Sequence, residues 1–282
     1  MSFRARLDAR WDKGLFVCVG LDPDWSKLPG PIRAAAGTNP SDEARARAVL
    51  AFCTAVVDAT ADLACAFKPN AAFFERFGAP GIAALGDVMR HIRIAAPDVP
   101  VIYDAKRGDI GSTNAGYVED AFDRLDADSI TVHPYLGRES LAPFLARTER
   151  GIIVLVRTSN PGGGEFQDLQ VGGEPLYRVV ARRVADHWNG NGNCAVVVGA
   201  TYPEELAAVR AIVGDMPILI PGVGAQGGDV RLTVEAGRDA RGRGMIINSS
   251  RGIIYASAGT DFAAAARAET QRLTGEIRSF NR

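Results

Sequence analysis

The stretch Val101-Ile102-Tyr103-Asp104-Ala105-Lys106-Arg107-Gly108-Asp109-Ile110 places Asp, Lys and Asp at the end of an apolar run. Residues two apart on a strand share a face, so Asp104 and Lys106 are expected to point the same way. Burying charge is costly unless it is paired, so packing gives no reason to keep these residues. Alternating charges that stabilise a developing charge do give one. Ala64-Cys65-Ala66-Phe67-Lys68-Pro69-Asn70 repeats the pattern, an apolar run ending in Lys68. Structural uses remain open: an ion network filling a barrel mouth, or Asp109 capping the helix that begins near Ser112.

What positions these groups is an alternation of short apolar runs and longer amphipathic ones. Strands are expected at 15–21, 64–68, 101–104, 129–133, 152–157, 194–199, 218–221 and 245–249. Helices are expected at 42–61, 81–95, 112–125, 138–146, 175–188, 203–213, 229–236 and 261–279. The strands read as continuous hydrophobic runs, the mark of a parallel sheet covered by helices. Eight such units predict an α/β fold, a (β/α)8 TIM barrel in a single domain over 1–282, a fold that typically takes about 250 residues. A doubly wound sheet would put a glycine fingerprint after the first strand. Asp22-Pro23-Asp24-Trp25 stands there instead. Two connections are long, 22–41 and 158–173, and the glycine-rich second one reads as a lid.

Barrel chemistry sits at the C-terminal ends of the strands. Those ends carry Asp22, Lys68, Asp104 with Lys106, Ser159, Gln226 and Arg251. Asp22 could also be a turn residue before Pro23. Pro221-Gly222-Val223-Gly224-Ala225-Gln226-Gly227-Gly228-Asp229 follows the seventh strand as a loop whose N–H groups can cradle a phosphate. Ser249-Ser250-Arg251-Gly252 ends the eighth strand with an Arg able to fork onto phosphate oxygens. Together they point to a phosphorylated substrate.

Bulk composition narrows the classes. Net charge is −1, from 32 basic and 33 acidic residues, so no global field attracts nucleic acid or a membrane surface. No apolar run reaches the roughly 18 residues of a spanning helix. Residues 1–13 lack the apolar core of a secretory signal. Cys18, Cys53, Cys65 and Cys194 form no C-x-x-C pair and read as buried thiols of a cytoplasmic protein. His91, His133 and His187 lack metal-ligand spacing, and no cofactor fingerprint is visible.

On these residues the chain resembles the orotidine 5′-phosphate decarboxylases, particularly their longer bacterial, mycobacterial-type form. The matching segments run from the first strand to the eighth: Gly20-Leu21-Asp22-Pro23-Asp24, Phe67-Lys68-Pro69-Asn70, Asp104 to Ile110 with Thr113, Thr158-Ser159-Asn160-Pro161, Pro221 to Gln226, and Ser249-Ser250-Arg251-Gly252. The Asp-x-Lys-x-x-Asp element is shared with related sugar-phosphate decarboxylases and aldolases. The resemblance implies that Asp22 and Lys68 hold ribose hydroxyls. It implies a charged tetrad of Lys68, Asp104, Lys106 and the Asp109 of a second subunit, without a cofactor. It further implies that Ser159 reads the pyrimidine, that Gln226 and Arg251 take the 5′-phosphate, and that Ile110 and Thr113 cross the interface of a homodimer with shared sites. Asn160 stands where many shorter members carry His or Ser, which leaves Ser159 in place.

Overall fold

The computed structural model describes residues 1–223 and 227–281. Eight strands lie where the apolar runs fall: β1 (Val17–Leu21), β2 (Ala66–Pro69), β3 (Ile102–Arg107), β4 (Ser129–Val132), β5 (Gly151–Arg157), β6 (Cys194–Val198), β7 (Ile218–Pro221) and β8 (Met245–Ser249). They pair in parallel, in the order β2-β1-β8-β7-β6-β5-β4-β3. Parallel bridges Phe67–Val101 and Asn70–Asp104 close the ring between β2 and β3. This is the (β/α)8 barrel. Nearly every strand residue is buried, because helices cover the outside and apolar side chains fill the inside.

The long helices between strands match the amphipathic runs, with short helices Ala71–Glu75 and Arg251–Ile254 added and two runs ending differently. The run expected at 112–125 is α-helical over Gly111–Val118 and continues as a π-helical turn, Glu119–Arg124. The run expected at 175–188 does the same, as Leu176–Arg183 and then Val184–Trp188. The long connections are not bare loops. The first holds a short helix, Gly30–Ala35. The second holds a turn of helix, Gly164–Gln167, and a hairpin pairing Gln170–Val171 with Glu174–Pro175. Gly172 and Gly173 at its tip both have positive φ, +61° and +88°, as a primed two-residue turn demands.

An additional helix, Phe3–Trp11, has no counterpart in the expected set. Phe3, Leu7 and Trp11, four apart, form one buried face against the N-terminal end of the barrel. The Trp11 indole donates to the Met245 carbonyl at 2.8 Å. The buried Arg10 donates to the carbonyls of Ala64 and Ala61 at 2.8 and 3.0 Å. This closes the end opposite the charged strand termini. The four cysteines are buried and unbridged, and burial pushes the Cys18 thiol up to about 12. Among the described residues no helix is long and apolar enough to cross a membrane.

Candidate active site

Lys68 is the penultimate residue of β2 and Asp104 lies within β3, on adjoining strands. Both are buried, at 4% and 7% exposure. Lys68 Nζ donates to Asp104 Oδ2 at 2.8 Å and lies 3.7 Å from Asp22 Oδ1. Lys106 Nζ donates to the other oxygen, Asp104 Oδ1, at 2.6 Å. Thr131, on β4, donates its hydroxyl to the same Oδ1 at 2.9 Å and accepts from the Lys106 amide at 3.0 Å. One carboxylate is therefore held by two ammonium groups and a hydroxyl.

Lys106 does not reach Asp104 through simple strand alternation. The β3–β4 register shifts between Tyr103 and Arg107, and Lys106 has φ +48°. A bulge with a left-handed non-glycine residue is a costly conformation that re-aims a side chain. Asp104 and Lys106 line the same hollow, as the two-residue spacing implies, but a bulge and not simple alternation aims Lys106 there. The bulge leaves Lys106 half-exposed at the barrel mouth while Asp104 stays buried.

Burial disfavours charge on both members of the buried pair, and their partners outweigh it. Desolvation pulls Lys68 down, but Asp104 and Asp22 raise it above the usual lysine range. Desolvation pushes Asp104 up, but Lys68 and Lys106 hold it well below the usual carboxylate range. The depressed Asp104 contributes stability that is full above its unfolded pKa of about 3.9 and lost as pH falls through the folded value. The raised Lys68 contributes stability that is full below about 10.4 and lost as pH rises through its folded value. The pair is therefore expected to stay fully charged from about pH 5 to 9, adding no inflection to activity or unfolding there. Carbon-13 detection of the Asp104 carboxyl checks this, and a titration step above about pH 4.5 would contradict it.

The row Lys68–Asp104 separates two hollows that both residues line. One, of about 140 Å³, is polar and is also lined by Asp22, Asn70, Asn248, Ser250 and Arg251. Within it, Asp22 Oδ1 and Asn248 Oδ1 are buried without a hydrogen-bond partner among the described residues. A ligand hydroxyl there would relieve a cost of about 1–3 kcal/mol per acceptor. The other, of about 330 Å³, is mostly apolar and includes Lys106, Thr131, Leu155, Ser159, Val197 and Leu219. The two hollows together fit an elongated ligand with a polar end and an apolar end. A larger hollow of about 650 Å³ opens at the barrel's other end, around Trp11, Asp12, Arg241 and Arg278, away from these groups.

Asp109, Ile110 and Thr113 stand apart from the row. Asn114, fully buried, accepts from the Asp109 amide at 2.9 Å and donates to the Asp109 carbonyl at 2.6 Å. His133 Nε2 lies 2.9 Å from the Gly108 carbonyl. The turn is thus fixed from behind. Asp109 Oδ1 accepts from the Ile110 amide at 2.7 Å rather than serving as the side-chain cap of the helix Gly111–Val118. Ile110 projects outward at 63% exposure, and Thr113 is exposed as well. Gln226 lies outside the described residues. Sequence reasoning passed over Thr131, Asn248 and Arg157. Asn248 and Arg157 are polar residues at or near the ends of apolar strand runs, the kind of signal that singled out Lys68, whereas Thr131 is β-branched and carries no such signal.

A closed parallel barrel with a Lys–Asp–Lys row at its C-terminal mouth is the architecture of a (β/α)8-barrel enzyme. The family model for the orotidine 5'-phosphate decarboxylase / HUMPS family matches residues 16–268. Orotidine 5'-phosphate decarboxylase from Azoarcus sp. (strain BH72) is 52% identical over 282 residues, covering 99% of this chain and 100% of that protein. The structure of Leishmania donovani OMP decarboxylase superposes with a TM-score of 0.85 at 39% identity, covering 100% of this chain and 99% of that one. Leishmania donovani UMP synthase gives 0.87 at 42% identity; this chain is covered in full and spans 57% of that longer chain. The chain belongs to the orotidine 5'-phosphate decarboxylase / HUMPS family and is an enzyme of the carboxy-lyase class.

Proposed function

We propose that this chain converts orotidine 5′-phosphate to uridine 5′-phosphate and CO₂, a step of pyrimidine biosynthesis, without metal or organic cofactor and in the cytoplasm. The observation that carries the reading is the Lys68–Asp104–Lys106 row set between a polar hollow and an apolar one. Ribose and phosphate go to the polar side, with Asp22 and Lys68 on the hydroxyls and Arg251, joined by Gln226, on the phosphate. The pyrimidine goes to the apolar side, against Ser159. The bond from ring carbon to carboxylate then lies over Asp104 and Lys106.

The bond breaks with its electron pair left on the ring carbon, and CO₂ departs. Lys106 Nζ donates a proton to that carbon and is reprotonated from solvent. Fixed charges carry the catalysis, since the carbanion has no electron sink. Two unit charges about 4 Å apart interact by roughly 4 kcal/mol at an effective dielectric of ~20, so an organised row discriminates between carboxylate and carbanion by several kcal/mol. Binding of the remote phosphate supplies free energy for closing the 158–173 segment over the ring.

Asp109 completes the row from a second copy of the chain, with Ile110 and Thr113 in the shared interface. Its fixed, outward-facing turn and its absence from its own chain's ion row support this assignment. The test is the ultraviolet absorbance change of orotidine 5′-phosphate with purified protein and excess chelator. Conversion undiminished by chelator is expected. Conversion abolished by chelator, or none at all, would move the chain to the sugar-phosphate branch of its family.

A further inference from the structure

Arg157 ends β5, two residues before Ser159, yet it points away from the hollow that Ser159 lines. Its side chain is only 4% exposed, and the β5–β6 register shifts between Leu155 and Arg157 to let it turn. The guanidinium lies 4.6 Å from the ring centroid of Tyr202 and 5.8 Å from that of Tyr177. Its Nε and Nη2 fork onto Glu205, at 2.5 and 3.3 Å, in the first turn of the helix Pro203–Val213. This side of the contact belongs to the barrel scaffold.

The other side belongs to the 158–173 segment. Nη2 reaches Asp168 Oδ2 at 3.4 Å, and Nη1 reaches Gln167 Oε1 at 3.3 Å. Gln167 in turn clasps the residue beside Ser159. It accepts from the Thr158 amide at 2.9 Å and donates to the Thr158 hydroxyl at 2.8 Å. A Cβ on Gly163 would meet Arg157 Nη1 at 3.2 Å, so the segment lies directly against the guanidinium. Arg157 therefore bridges a fixed carboxylate and a set of longer contacts from the segment that carries Ser159.

We propose that Arg157 is a positioning residue. It locks the Gln167–Asp168 turn to the helix Pro203–Val213, and so sets where Ser159 and the 158–173 segment stand over the bound ring. It touches no reacting atom. Arginine's rigid fork can serve both carboxylates at once, which a lysine cannot do.

Two variants on the segment side, Asp168→Asn and Gln167→Ala, avoid emptying the buried site. Each is expected to raise KM for orotidine 5′-phosphate about tenfold with kcat within about twofold, the loss of one charge-assisted or clasping contact. Each should also speed chymotryptic cleavage after the exposed Phe166 or Leu169 by about tenfold, because cleavage reads local opening. Arg157→Lys should resemble them, and Asp168→Asn should add nothing further in an Arg157→Gln background. Unchanged KM and cleavage in both segment variants would overturn the proposal. So would kcat, KM and melting temperature moving together, which marks a structural role alone. The kinetic arm rests on the substrate proposed above, but the cleavage arm needs no substrate. A wild-type chain that fails to convert orotidine 5′-phosphate would remove that reading and leave this one decided by cleavage.

Discussion

Lys106→Ala is expected to reduce turnover of orotidine 5′-phosphate by about 10⁴-fold or more, since it removes both a general acid and a fixed charge at the developing carbanion. The fold should survive. Lys106 is half-exposed, and Asp104 keeps Lys68 at 2.8 Å and Thr131 at 2.9 Å when Lys106 is gone. The melting temperature should therefore stay within about 3 °C of wild type, as for a surface substitution that empties no core. Product-analogue binding should weaken less than turnover, because the polar hollow lined by Asp22, Asn70 and Arg251 is untouched. Single-turnover absorbance measurements check the rate. A loss smaller than about a hundredfold would show that the proton comes from another group and would remove Lys106 from its role.

Lys106→Ala and Asp109→Ala, each inactive alone, should restore activity when the two chains are mixed under conditions that exchange subunits. The geometry of a two-fold dimer makes this arithmetic simple. Half of the randomly paired dimers are mixed, and one of the two sites in each is whole, so recovery approaches about a quarter of wild-type activity. In a mixed dimer the Asp109→Ala chain supplies Lys106, and the Lys106→Ala chain supplies Asp109. The expectation rests on the turn around Asp109. Asn114 and His133 hold it from behind, Ile110 points out, and Asp109 makes no contact with the Lys68–Asp104–Lys106 row of its own chain among the described residues. Mass spectrometry verifies that mixed dimers have formed. Verified mixed dimers without recovered activity would place both residues in one chain's site.

The barrel was legible because each strand is a short, predominantly apolar run between helical patterns. Lys68 and Asp104 were legible because charge at the end of such a run has no packing explanation. The bulge was not. Two-residue spacing says that Asp104 and Lys106 share a face, and nothing in Asp-Ala-Lys announces φ +48° at the third residue. The N-terminal helix hid for a different reason. Phe3, Leu7 and Trp11 are spaced four apart, but the intervening Arg and Asp residues swamp the apolar signal. Thr131 resembles any β-branched strand filler until its hydroxyl is seen on Asp104. The hairpin tip at Gly172-Gly173 is hidden within the glycine-rich connection that reads as a lid, because the strands beside it are only two residues long.

The β3 bulge divides labour between the two lysines. Lys68 is sealed in the wall, and its charge is part of how the barrel stands; exchanging it disturbs scaffold and chemistry together. Lys106 has been lifted out of the wall by one irregular peptide, so its side chain answers to the ligand and not to the packing of neighbouring strands. Position 106 is consequently a place where such a barrel can change its reaction without rebuilding its core. Position 68 is one where a new reaction would first require a new way to fill the interior.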